Sequence, residues 1–103
     1  MSPKLPFDPE RLREFCLRWT ITELSLFGSV LREDFGPESD VDVLISFAPG
    51  ARWTLLDHVE MRDELMELFG RDVDLVTRRA VERSPNYLRR KEILNSAQVV
   101  YGS

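Results

Sequence analysis

The sequence predicts an α/β (α+β) domain, a small sheet covered by helices, and three observations point there. Runs rich in β-branched and apolar residues, 21-ITELSLF-27, 41-VDVLISF-47 and 72-DVDLVT-77, alternate with stretches whose apolar residues recur at helical spacing. Capping residues bracket the helical stretches, and turn residues close the strands. A chain of 103 residues with 43% hydrophobic content is long enough for a single core and too short for two, so residues 1–103 are read as one domain.

The elements follow in order. Asp8 before Pro9 is a helix start, a capping side chain followed by proline at the first helical position. Leu12, Phe15, Cys16 and Trp19 then share a stripe, which predicts a helix over about 9–19. In 21–27, Ile21, Glu23, Ser25 and Phe27 alternate with Thr22, Leu24 and Leu26, a strand that ends at Gly28. A turn or short helix then leads to the second strand, 41–47, which Pro49-Gly50 closes. Thr54 caps a helix over 55–69, with Leu55, Val59, Leu65, Met66 and Phe69 as its apolar positions, and Gly70 supplies the left-handed residue at its end. The third strand is 72–77, Asn86 caps a last helix over about 87–97, and QVVYG forms a tail. The predicted order is α-β-α-β-α-β-α.

Composition narrows the function. No apolar run approaches the ~20 residues of a membrane span, and MSPKLPFDPE lacks the apolar centre of a signal peptide, so a cytoplasmic chain is expected. A single cysteine, Cys16, on the apolar stripe of the first helix, reads as a core residue. The lone His58 has no partners at zinc-ligand spacing. Net charge is −4 but uneven: from Thr77 onward six basic residues face two acidic ones, while the earlier part holds eight basic and sixteen acidic. An acidic body with a basic tail does not resemble a general nucleic-acid binder, and no direct nucleic-acid contact is expected. It is compatible with an acidic metal centre plus a cationic patch for phosphates or a partner protein.

The acidic groups are placed in a way that calls for a cation. Residues i and i+2 of a strand point to the same side, so Asp40 and Asp42 aim together while Val41, Val43 and Ile45 face the core. Two such carboxylates repel each other unless something positive lies between them, and Mg²⁺ or Mn²⁺ suits an all-oxygen donor set. Asp74, set among apolar residues in 73-VDLV-76, completes a three-carboxylate cluster if the second and third strands are neighbours. Asp72 shares its parity but sits at the strand's mouth, where solvation explains it. Gly28-Ser29, directly after a strand, forms a turn that brings backbone N–H groups and a hydroxyl against phosphate oxygens, and Arg32 adds positive charge one turn later. Metal-holding carboxylates facing a phosphate cradle are the equipment of phosphoryl or nucleotidyl transfer. A bare D-x-D or G-S says little. The conjunction of strand, Gly-Ser, Arg32, ten residues from Ser29 to the D-x-D, a helix and then an Asp-bearing strand says much more.

On these residues the chain resembles the minimal nucleotidyltransferase group of the DNA polymerase β-like nucleotidyltransferase superfamily. Gly28, Ser29, Asp40, Asp42 and Asp74 match the signature of G-S, about ten residues, D-x-D and a later third Asp; Arg32 and 39-SDVDV-43 match the fuller G-S-x-x-R and S-D-x-D-[LV] pattern. The resemblance runs from the strand at 21 to the final helix. It implies a mixed sheet flanked by helices, as in a polymerase β palm, and Mg²⁺-dependent transfer of a nucleotidyl group from a nucleoside triphosphate. Asp40, Asp42 and Asp74 would hold the metal, Asp74 would help activate the attacking hydroxyl, and Gly28, Ser29, Arg32 and Ser39 would bind the nucleotide. Chains of this size in the group act as antitoxins paired with a HEPN-domain ribonuclease toxin, transferring AMP from ATP to a toxin tyrosine. One departure is the acidic 33-EDFGPE-38 segment beside the expected triphosphate.

Other readings stand beside this one. A nucleotidyltransferase for a small molecule or an RNA end would need further residues to bind its acceptor. A non-catalytic antitoxin would mask its toxin by contact through Trp53, Tyr87 and 89-RRK-91, although Trp53 reads equally as a side chain folded over the core edge. An acidic cation-binding fold without transfer activity leaves the Gly-Ser turn and Arg32 without purpose.

Overall fold

The computed structural model describes residues 7–28 and 40–102. Within them the elements run α1 (Pro9–Arg18), β1 (Ile21–Phe27), β2 (Val41–Phe47), α2 (Leu55–Phe69), β3 (Val73–Thr77), α3 (Arg78–Glu82), α4 (Tyr87–Ser96) and β4 (Gln98–Tyr101). The turn or short helix expected between the first two strands lies outside the described residues.

The helix starts form as their capping residues dictate. Asp8 accepts the Glu10 amide at 3.0 Å, and Pro9 follows it. Thr54 and Asp57 exchange hydrogen bonds in a capping box, and Asn86 accepts the Arg89 amide at 3.1 Å. At the far end of α2, Gly70 takes the left-handed conformation and its N–H reaches the Met66 carbonyl at 2.8 Å.

The sheet has the order β3-β2-β1-β4. β1 pairs antiparallel with β2 and with β4, whereas β2 and β3 are parallel, so the sheet is mixed. A parallel pair needs a crossover, and α2 provides it. One face packs against α1 and α2. It buries Leu24, Leu26, Val41, Val43, Ile45, Val73 and Leu75 with Leu12, Phe15, Cys16, Met61, Leu65 and Phe69. Fully burying one such Leu or Met contributes roughly 1.5–3 kcal/mol. The opposite face carries a smaller cluster in which Phe27 and Leu44 meet Val81 of α3 and Ile93 of α4. Burial in the larger core pushes the Cys16 thiol up to about 12, so it stays neutral and unreactive, as its stripe position implied.

Three details differ from the sequence reading, and one open alternative is decided. The stripe assigned to α2 is too wide: Leu55 is 79% exposed and Val59 43% exposed, whereas the unassigned Met61 is fully buried. The tail is a strand, β4, at the edge of the sheet, and a short helix, α3, precedes α4. Of the two places open to Trp53, the structure has the one folded over the core edge. Its indole N–H donates to the Trp19 carbonyl at 3.1 Å, and its ring meets Trp19 edge-on at 5.1 Å between centroids.

Candidate functional site

Three adjacent strands set the site. Phe27, the last residue of β1, stands opposite Asp42 of β2, and Asp42 is in register with Asp74 of β3. Neighbouring strands lie about 4.8 Å apart, and registered residues point to the same face, so the two carboxylates stand side by side. Their register is pinned one residue upstream, where the Val41 amide donates to the Asp72 carbonyl at 2.9 Å. Asp42 is half-buried and Asp74 exposed. Their face is the one that holds Phe27 and Leu44, because Val41 and Val43 take the other side into the larger core.

Gly28 follows Phe27 with φ of +73°. The Asp42 Oδ2 occupies the space in which a Cβ on Gly28 would lie. The glycine therefore does two things: it takes a backbone conformation that side chains disfavour, and it leaves room for the carboxylate against the chain.

The second wall is α4. A cleft of about 290 Å³ is bounded by Phe27, Gly28, Asp42 and Asp74 on the sheet side and by Arg89, Glu92, Ile93 and Ser96 on the helix side. Ile93 anchors that wall through its contacts with the Phe27–Leu44 cluster. The cleft thus has a carboxylate floor and one cation, Arg89, among its described lining residues. The sequence reading named 89-RRK-91 as a partner contact and the basic tail as a patch for phosphates or a partner, without setting Arg89 beside the carboxylates. The available signal was Arg89, Glu92 and Ser96 flanking the apolar Ile93 on one side of the helix.

Of the residues singled out from sequence, Gly28, Asp42 and Asp74 are brought together. Asp40 immediately precedes β2 and is exposed. Ser29, Arg32 and Ser39 lie outside the described residues. Among the described residues, no three acidic, histidine or cysteine side chains are gathered around a common metal position. The donor set nonetheless fits a hard cation: it is all oxygen and includes a registered carboxylate pair, one of which the glycine admits against the backbone.

Residues 9–100 match the family described as the nucleotidyltransferase domain. The chain belongs to that family. It is a nucleotidyltransferase of the minimal type, as the motif comparison implied. It is 35% identical over 81 residues to a Methanocaldococcus jannaschii protein provisionally named a protein adenylyltransferase, covering 79% of this chain and 81% of that one. To the protein adenylyltransferase MntA of Thermococcus cleftensis it is 34% identical over 73 residues, covering 71% and 69% respectively. Among solved structures, a toxin–antitoxin crystal structure with AMP-PNP aligns with a TM-score of 0.69 at 17% identity, over 93% of this chain and 74% of that one. At that identity the likeness concerns the fold, and the mixed sheet flanked by helices agrees with it.

Proposed function

We propose that this nucleotidyltransferase is an antitoxin that transfers AMP from ATP to a tyrosine hydroxyl of a partner HEPN ribonuclease toxin and so neutralises it. The observation that carries the reading is the corner formed by Gly28, Asp42 and Asp74 at the end of three adjacent strands. It is supported by the relative named protein adenylyltransferase MntA and by a fold neighbour described as a tri-AMPylated HEPN toxin in complex with an MNT antitoxin.

Asp42 and Asp74, with Asp40, would hold Mg²⁺, which when bound neutralises triphosphate charge and polarises the α-phosphate. Gly28 and Ser29 receive the phosphates on backbone N–H groups and a hydroxyl, with Arg32 and Ser39 assisting. Asp74, the more exposed of the registered pair, lies where an incoming hydroxyl can reach it and accepts the proton as attack begins. The tyrosine oxygen forms a bond to the α-phosphorus, the bond to the β-phosphate oxygen breaks, and pyrophosphate leaves.

The test is incubation of the chain with its toxin, Mg²⁺ and ATP labelled at the α-phosphate. Label on the toxin, reduced at least about 100-fold by Asp40→Asn/Asp42→Asn, is expected. Neutralisation that survives the double change would point to masking by contact, and label on RNA or a small molecule would replace the acceptor assignment.

A further inference from the structure

The α4 wall is charged in a way the carboxylate corner does not require. Arg89, Glu92 and Ser96 share one side of α4 and line the cleft that holds Asp42 and Asp74. Ser96 is turned back onto its own helix, its hydroxyl donating to the Glu92 carbonyl at 2.7 Å. Arg90, next to Arg89 in the chain, is committed elsewhere, donating to the Ser84 carbonyl at 3.2 Å and lying 5.5 Å from the Tyr87 ring centroid. The Arg89 guanidinium makes no hydrogen bond or ion pair among the described residues. Its backbone is nevertheless fixed: its amide is held by Asn86 at 3.1 Å, and Ile93, one turn on, is buried against Phe27 and Leu44.

A nucleoside triphosphate in this cleft meets metal-bearing carboxylates on the strand side only. Its remaining phosphate oxygens face α4, where a carboxylate would repel them and a guanidinium fork can take two at once. The charge order along the helix, Arg89 and then Glu92 about one turn later, therefore sets which end of the wall accepts phosphate. We infer that Arg89 is a nucleotide-binding residue whose guanidinium grips the triphosphate from the side opposite Asp42 and Asp74. The inference rests on the reading of this cleft as the nucleotide site.

Calorimetric titration of the full chain with Mg²⁺ and either a non-hydrolysable ATP analogue or inorganic triphosphate tests it. Arg89→Ala is expected to weaken both probes by about tenfold or more, and Arg89→Lys, which keeps the charge without the fork, by a smaller factor. Arg83→Ala, an exposed arginine outside the cleft, should bind as the unaltered chain does. Should Arg89→Ala lose its fold, Arg89→Lys alone decides, since affinity equal to that of the unaltered chain overturns the inference. If the chain binds, Asp42→Asn does not, and Arg89→Ala matches the unaltered chain, this inference falls while the nucleotide site stands. Loss with the ATP analogue but not with triphosphate overturns the phosphate assignment. Absence of uptake by the unaltered chain overturns both readings.

Discussion

Gly28 and Gly70 have nearly the same left-handed backbone, φ of +73° and +69°, but different surroundings. A Cβ at Gly70 would meet nothing within 4 Å, whereas one at Gly28 would displace the Asp42 carboxylate. The two positions therefore separate backbone strain from site geometry. Gly28→Ala and Gly70→Ala are each expected to lose about 1 kcal/mol, lowering the melting temperature by roughly 4–8 °C. Only Gly28→Ala should also abolish nucleotidyl transfer, because the far end of Asp42 is the group that yields. Thermal melts paired with transfer assays check this, and equal activity in the two variants would contradict it. The glycine itself was legible in the sequence as the turn residue that ends β1. Its second role was not, because the neighbour it makes room for lies on another strand, fourteen positions away.

At the scale of elements, termini were easier to read than faces. Thr54 and Gly70 bracket α2 where the sequence placed them, since caps are local chemistry. Thr54→Ala removes the hydroxyl that accepts the Asp57 amide, while the backbone N–H of residue 54 can still donate to the Asp57 carboxylate, and it is expected to cost about 1 kcal/mol in denaturant unfolding without changing catalysis; an unaltered midpoint would show the hydroxyl to be idle. The buried face of α2 was misjudged for a geometric reason. At about 100° per residue, Val59 lies roughly 120° around the helix from Leu65, while Met61 lies within about 40° of it. Counting apolar residues at loosely helical spacing admitted Leu55 and Val59, whereas the sheet selects the narrower arc of Met61, Leu65 and Phe69. β4 and α3 escaped notice because they are short: four and five residues, with Val81 the single buried side chain of α3. Segments of that length carry too little periodicity to announce themselves.

For the whole molecule, the decisive unknown was strand order. The sequence reading set Asp40 and Asp42 on one side by strand parity, but β2 begins only at Val41, after Asp40; whether Asp74 joins Asp42 depends on β3 lying beside β2. The parallel pairing across α2 supplies that adjacency, and the Asp42–Asp74 register makes the corner. The same topology folds the basic end of the chain back over the acidic strands, so that α4 closes the cleft from the other side. Of the basic tail read from the sequence, Arg89 is the cation among the described residues that line this cleft, with Glu92 beside it.

The central claim is that this corner holds a metal-bound nucleoside triphosphate, and a crystal grown with Mn²⁺ and a non-hydrolysable ATP analogue tests it most directly. The account predicts an anomalous peak at about 2.1–2.2 Å from carboxylate oxygens of Asp42 and Asp74, with phosphate oxygens bridging to it and the Gly28 backbone alongside. Metal and nucleotide bound away from the Asp42–Asp74 pair, or a peak that persists undiminished in Asp42→Asn, would contradict it.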